Sequence, residues 1–332
     1  MTGARGGATI FGCAGPALLA AERAFFRAAD PFGFILFARN VEDRSQLARL
    51  TAELRDTVGR DAPVLIDQEG GRVQRLRGPV WRDWAPPLDT VLAATSPKAA
   101  ARALWLRARA IAAELAEVGI DTNCAPVADL VFPHTHPFLR NRCLGTDPAA
   151  VAVLARAFAD GLLAGGVLPV VKHLPGHGRS GLDTHLDLPR VSAPLAELAV
   201  TDFVPFRALA DLPMAMTGHL VFEALDPDRP ATQSPRVIDL IRRDIGFQGL
   251  LMTDDLSMQA LSGPLAERAA SSLAAGVDVA LHCNGDLAEM EAVAAAAGAL
   301  GPLAALRADA ALALRRKVTT DLPALLAELA DV

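Results

Sequence analysis

Eight short apolar segments, each followed by a longer segment of helical periodicity, alternate along the 332 residues of this chain. The strand-like runs fall at 8–13, 33–37, 63–67, 121–126, 168–173, 214–219, 250–254 and 278–283. Amphipathic stretches lie near 18–29, 43–59, 97–118, 147–165, 195–210, 234–245, 263–275 and 286–300. Ser96-Pro97, Asp147-Pro148 and Ser234-Pro235 each set a capping side chain before proline at the first helical position. Eight strand–helix units are the count of a closed α/β fold, the (β/α)8 TIM barrel. The alternative, a doubly wound open sheet, carries a glycine-rich first turn; here Gly12-Cys13-Ala14-Gly15-Pro16 interrupts that fingerprint with proline. No Gly-, Ser- or Pro-rich linker divides the chain and no repeat is visible, so residues 1–332 read as a single domain. Helical stretches at 302–317 and 321–330 then form a C-terminal extension of about 302–332.

Composition removes several function classes. The formal charge is −6, which leaves no basic excess for binding nucleic acid, and 52% hydrophobic residues exclude a disordered chain. Cys13, Cys124, Cys143 and Cys283 are too dispersed for a zinc site and suggest free, buried thiols in a reducing compartment. Ile10-Phe11-Gly12-Cys13 loosely resembles a lipoprotein cleavage site, but the basic start and the apolar run of about 7–15 residues of a signal peptide are missing. The segment reads instead as a first buried strand. No window reaches the roughly 18 uninterrupted apolar residues of a membrane span. The expectation is a soluble cytoplasmic protein, monomeric or weakly dimeric, without nucleic-acid or membrane partners. Only Lys98, Lys172 and Lys317 are lysines, a bias of composition that singles out Lys172 at a strand end.

In a barrel, chemistry sits where strands end and the following loops begin. Those positions hold Asp67-Gln68-Glu69-Gly70-Gly71-Arg72, Asn123 and Asp129, Lys172-His173, His219, Asp254-Asp255 and His282. Buried charges must pair or line a wet cleft, and six strands ending this way point to such a cleft. Asp254 follows a buried strand. Adjacent carboxylates on a strand face opposite ways, so Asp254 enters the barrel mouth while Asp255 caps the next helix or meets an arginine. A carboxylate nucleophile for a sugar or phosphoryl centre is the chemistry this suits.

Loop 174–187 contains three glycines and one proline, the composition of a movable active-site loop. In an extended segment Asp183 and His185 project to one side, where a carboxylate raises the imidazole pKa and fixes its tautomer. By spacing alone, an Asp and a His in a surface turn are the favoured reading, since such pairs are common. His134-Thr135-His136 has a metal-ligand pattern but lies in a Pro-bracketed loop without an acidic set to complete it. Arg75 and Arg142 lie near strand ends, where arginine forks suit carboxylates and vicinal hydroxyls. Trp81 and Trp84 form either a sugar-stacking rim or a cover over the core.

Taken in order, Ile66-Asp67-Gln68-Glu69-Gly70-Gly71-Arg72-Val73, Asn141-Arg142, Lys172-His173-Leu174-Pro175-Gly176-His177-Gly178, Asp183-Thr184-His185 and Thr253-Asp254-Asp255-Leu256-Ser257-Met258 resemble the β-N-acetylhexosaminidases of glycoside hydrolase family 3, in particular the single-domain bacterial type of cell-wall recycling. The likeness runs from about residue 8 to 300, with Leu144 and Leu174 where phenylalanine is more usual. It implies a retaining exo-β-N-acetylglucosaminidase with Asp254 as nucleophile and His185, supported by Asp183, as acid/base. Asp67, Arg75, Arg142, Lys172 and His173 match residues that bind the hydroxyls of the terminal N-acetylglucosamine. The implied substrate is an N-acetylglucosamine-containing oligosaccharide or muropeptide, N-acetylglucosaminyl-1,6-anhydro-N-acetylmuramic acid, and no metal or organic cofactor is implied. Phosphorolysis is the rival within enzymes, because a histidine acid/base does not repel phosphate as a carboxylate does. A non-catalytic sugar-binding barrel is the rival outside them, although binding needs no paired nucleophile and proton donor.

Overall fold

The computed structural model describes residues 6–182 and 188–332. Eight parallel strands close a barrel in sequence order: β1 (Gly7–Gly12), β2 (Pro31–Leu36), β3 (Val64–Ile66), β4 (Thr122–Asn123), β5 (Leu168–Leu174), β6 (Met214–Thr217), β7 (Leu250–Asp255) and β8 (Val279–His282). The ring shuts where Thr9 and Ile10 of β1 register against Ala280 and Leu281 of β8. Each strand lies within two or three residues of its expected bounds, and a helix follows each. The main crossovers are α1 (Ala20–Ala29), α2 (Arg44–Val58), α3 (Pro97–Glu117), α4 (Pro148–Ala164), α5 (Phe203–Ala208), α6 (Pro235–Arg243), α7 (Leu265–Ala275) and α8 (Leu287–Ala297). The three expected caps form: Ser96, Asp147 and Ser234 accept from the amides of Ala99, Ala150 and Val237.

Strand periodicity sorts the apolar residues into two cores. Leu65, Leu168, Val170, Met214, Met216, Leu250, Met252, Val279 and Leu281 fill the barrel interior. Val64, Ile66, Val171, Ala215, Leu251 and Ala280, one residue out of phase, pack outward against the helices. At about 25 cal/mol per Å² of apolar surface buried, both faces of every strand contribute to stability. The barrel is therefore a packed core with one open end.

Three details go beyond the sequence expectation. The stretch 195–210 forms two short helices, Leu195–Val200 and Phe203–Ala208, because the buried Asp202 carboxylate turns to Arg179 (2.8 Å) and Thr201 Oγ1 (2.8 Å) between them. Trp81 and Trp84, 6% and 8% exposed, belong to the helix–strand core, so they cover it and form no rim. The C-terminal region is built into the fold. In the helix Pro302–Leu312, Ala308 and Ala311 join the barrel-interior cluster as its floor. Arg307 there pairs with Asp278 (2.8 Å), and Arg315 beyond it pairs with Asp121 (2.6 Å). A last helix, Leu322–Ala330, lays Leu322, Leu325 and Leu329 against the outer core. Among the described residues, no helix is long and apolar enough to cross a membrane.

Candidate active site

The phase that sends Leu65, Val170, Met252 and Leu281 into the barrel carries Asp67, Lys172, Asp254 and Cys283 into its open end, two residues further along each strand. These four, with Arg75, Arg142, His173 and His177, line one cleft whose apolar wall includes Phe37, Phe138, Met216 and Met258. Six expected site residues, Asp67, Arg75, Arg142, Lys172, His173 and Asp254, thus meet in one place. Asp183 and His185 lie outside the described residues.

A charge cluster holds one side of the cleft. Lys172 Nζ, on a residue only 2% exposed, donates to Asp67 Oδ1 (2.9 Å) and contacts Glu69 Oε1 (2.7 Å). Arg75 binds the other oxygen of Asp67 (2.8 Å), and Arg142 grips Glu69 with a two-pronged fork (2.9 and 2.8 Å). Burial alone would push both carboxyls up; Lys172 and Arg75 hold Asp67 well below the usual range, and Arg142 and Lys172 hold Glu69 low. Burial would likewise lower Lys172, yet Asp67 and Glu69 raise it. Three cations against two carboxylates leave this cluster one positive charge in excess.

Glu69, not singled out from the sequence, is the keystone of that cluster. Its position comes from the glycine pair that follows. Gly70 has φ +109°, and a Cβ there would lie 1.8 Å from Arg107 Nη2. Arg107, fully buried on α3, donates to the Glu69 carbonyl (2.7 Å) and the Ala85 carbonyl (2.6 Å). Asn123 at the end of β4 pairs its amide with the Gln68 backbone in both directions (3.0 and 3.1 Å).

A second assembly surrounds His173. Its Nδ1 lies 2.7 Å from Asp129 Oδ2, and Asp129 Oδ1 accepts from the His177 amide (2.7 Å). Burial of Asp129 is outweighed by His173 and His177, which keep its carboxyl low. The His173 Nε2 stands 3.5 Å from Arg142 Nη2, tying the two assemblies together. Loop residues 174–182 are pinned: Gly178 accepts from Thr135, His136 donates to Ser180 (2.9 Å), and Arg179 bridges Glu197 and Asp202. His136 caps the short helix Pro137–Arg140 through Nδ1 (3.2 Å) and His134 stacks on Phe132, so the His-x-His pair is occupied structurally. No group of three metal-ligating side chains occurs among the described residues.

Asp254, like its neighbour Asp255, lines the cleft and forms no ion pair among the described residues; its Oδ1 accepts from the Asp255 amide (2.8 Å). Burial pushes its carboxyl up, but His173, His219, that amide and Lys172 together hold it below the ordinary range. Asp255 does not meet the sequence expectation of a helix cap or an arginine pair. It accepts instead from the amides of Ser257 (3.1 Å) and Cys283 (3.2 Å), bracing the turn behind its neighbour. His219, fully buried, donates from Nε2 to the Asp255 carbonyl (3.0 Å) and exchanges a hydrogen bond with Thr232 (2.8 Å). His282 faces outward beneath Phe11 and Glu289 and takes no part in the cleft.

His177 gives the site a pH signature. Burial and the neighbouring His173 lower its pKa to about 4, from an ordinary value of 6.5, and its Nδ1 has no hydrogen-bond partner among the described residues. The unfolded chain therefore takes up a proton near pH 6.5 that the native site refuses until about pH 4. Stability is full above the upper value and falls by about 3 kcal/mol across that window on acidification. Urea midpoints from pH 7 to 4.5 should drop less for His177→Gln than for the wild type; parallel curves would remove His177 as the source.

Comparison with known proteins places this geometry. The model of the glycosyl hydrolase family 3 N-terminal domain matches residues 25–314. A protein from Alkalilimnicola ehrlichii named beta-hexosaminidase is 38% identical over 288 residues, covering 84% of this chain and 81% of its own length. One of the same name from Xylella fastidiosa is 37% identical over 304 residues, covering 90% and 89%. The crystal structure of NagZ from Neisseria gonorrhoeae in complex with N-trifluoroacetyl-D-glucosamine superposes with a TM-score of 0.86 at 31% identity, over 100% of this chain and 99% of that one. A barrel mouth holding an ionised aspartate that forms no ion pair among the described residues, beside a bank of paired hydrogen-bonding groups, is thus found in a chain that belongs to glycoside hydrolase family 3 and is a glycoside hydrolase.

Proposed function

We propose that the chain is a retaining exo-β-N-acetylglucosaminidase that releases terminal N-acetylglucosamine from muropeptide-derived N-acetylglucosaminyl-1,6-anhydro-N-acetylmuramic acid. The observation that carries this reading is Asp254: ionised, open to the cleft and without an ion pair among the described residues. Asp67, Arg75, Arg142, Lys172 and His173 bind and orient the terminal sugar, their mutual pairing fixing each donor and acceptor before substrate arrives. Asp254 attacks the anomeric carbon and forms a covalent glycosyl ester while the leaving oxygen takes a proton from His185. The same imidazole, supported by Asp183, then draws a proton from water, which displaces Asp254 with net retention. The free, buried cysteines fit a reducing compartment, and we assign the protein to the cytoplasm as a monomer or weak dimer.

A panel of aryl β-glycosides tests the substrate class. The N-acetylglucosaminide should be cleaved, and the glucoside and xyloside should be poor substrates because they lack the 2-acylamino group. Equal cleavage of the glucoside would overturn the assignment. Runs with and without phosphate separate the two reactions: sugar 1-phosphate as the main product would replace hydrolysis by phosphorolysis.

A further inference from the structure

Lys172 is one of three lysines, and another, Lys317, ends the basic run Arg315-Arg316-Lys317 at the opposite end of the barrel. That run lines a groove on the closed face, at the starts of β4 and β5, together with Asp61, Asp121 and Thr320. The floor of the groove is apolar, formed by Ala113 of α3, Ile120, Val167 and Leu322. Close backbone contact seats the basic segment there. Gly166 has φ +80°, and a Cβ on it would lie 2.0 Å from the Arg316 carbonyl oxygen, so glycine is what lets the two segments meet. The carboxylates of the groove are already matched. Asp121 Oδ2 takes Arg55 (3.0 Å) and Arg315 (2.6 Å), while its Oδ1 accepts from the Val64 amide (2.9 Å). Asp61 pairs with the same two arginines (3.1 and 3.2 Å), and Glu117 pairs with Arg44. Arg316 and Lys317 are exposed and form no ion pair with a described carboxylate. Thr320 adds a buried hydroxyl oxygen with no hydrogen-bond partner among the described residues.

We propose that this groove is a second binding site, on the closed end of the barrel, for a phosphate monoester with an apolar substituent. The closed face of a barrel ordinarily serves stability, and the Arg55–Asp121–Arg315 pairing does so here. Two uncommitted cations and an unpaired hydroxyl around an apolar floor add nothing to that role; they have the make-up of a ligand site. A monoester carries about −1.5 to −2 charges at neutral pH, which matches Arg316 and Lys317 together, whereas a carboxylate matches only one of them. The guanidinium supplies a fork and the ammonium a point charge, and the Thr320 hydroxyl gains the partner it lacks. The substituent lies over Ala113 and Val167, where the short alanine side chain leaves room. Bare phosphate leaves that floor in water and so binds less tightly. The proposal stands apart from the chemistry of the open end: the length of β5, which carries Lys172 and His173 at its far end, separates groove from cleft.

The test is calorimetric titration of the full chain with phenyl phosphate, inorganic phosphate and phenol in low-salt buffer. Wild type should bind phenyl phosphate about tenfold more tightly than inorganic phosphate, with the affinity falling as salt is added, and should show no measurable binding of phenol. The double variant Arg316→Ala/Lys317→Ala should lose about tenfold or more in phenyl phosphate affinity. Ala113→Leu, which fills the floor, should bring phenyl phosphate down to the level of inorganic phosphate. Without ligand both variants should melt with the wild type and hydrolyse an aryl β-N-acetylglucosaminide at its rate. Phenyl phosphate affinity that persists unchanged in the double variant belongs to another part of the surface, the cleft included, and overturns the proposal. Equal wild-type affinities for phenyl phosphate and inorganic phosphate overturn it as well, since the floor then takes no part. Should Ala113→Leu fail to fold, the double variant, altered only at exposed side chains, still decides. Failure of the wild type to hydrolyse the aryl glycoside would refute the glycosidase reading and leave this one standing on its own titration.

Discussion

Replacing Asp254 with alanine should reduce turnover of an aryl β-N-acetylglucosaminide by about 10⁴-fold or more, the scale on which loss of a covalent nucleophile is felt. N-acetylglucosamine should still bind, because Asp67, Arg75, Arg142 and Lys172 are held in place, together with Glu69, by hydrogen bonds and ion pairs that do not include Asp254. The fold should survive as well. Among the described residues the Asp254 carboxylate accepts one hydrogen bond, from the neighbouring amide, and the turn behind it is braced by Asp255 and His219. The space left by the carboxylate admits a small anion, so azide should restore part of the activity and give the α-glycosyl azide. Wild type incubated with a slow fluorinated glycosyl donor should carry one sugar mass on the peptide containing Asp254. Retention of more than a few per cent of turnover in Asp254→Ala, with no labelled peptide in the wild type, would remove this residue from the nucleophile role.

The legibility of this site follows from strand geometry. Asp67, Lys172 and Asp254 continue the two-residue period of apolar strands, so a sequence that shows the strand also shows which polar residue enters the mouth. Lys172 was conspicuous as a rare residue at such a place, and its burial against two carboxylates explains why a lysine is kept there. Caps were legible because the Ser-Pro and Asp-Pro pairs satisfy a local rule. Arg107 was not, and Glu69 and Asp129 showed only as polar residues near strand ends, without their partners. Their work depends on partners from other strands and helices, 73 residues away for Glu69 and Arg142, and no local pattern encodes that meeting. The same applies to the helix Pro302–Leu312, whose alanines look like composition until they are seen closing the barrel floor. Trp81 and Trp84 were ambiguous for the converse reason, since an aromatic serves a sugar rim and a core equally well until burial decides. The roles of Asp183 and His185 rest on family resemblance and on chemistry, the described residues supplying only the setting.

That setting makes the second large effect specific. A retaining glycosidase with two carboxyl groups needs one of them held protonated, at a raised pKa, about 5–5.5 Å from the nucleophile. Asp67, Glu69 and Asp129 are all held low by cations or histidines after burial has pushed them up, so each is ionised and already engaged. His177 is held neutral in the physiological range by burial. His173 has its Nδ1 on Asp129 and its Nε2 toward the Arg142 guanidinium, a position for holding substrate. On the proposed reading the proton donor is His185, and its removal should discriminate between leaving groups. His185→Ala should lower kcat/KM for a disaccharide by about 10²- to 10⁴-fold while sparing a dinitrophenyl glycoside, whose leaving group departs without protonation. His173→Ala should depress both substrates together, chiefly through KM. If the two phenotypes are exchanged, with His173→Ala selective and His185→Ala uniform, the His173–Asp129 pair is the acid/base and His185 is not.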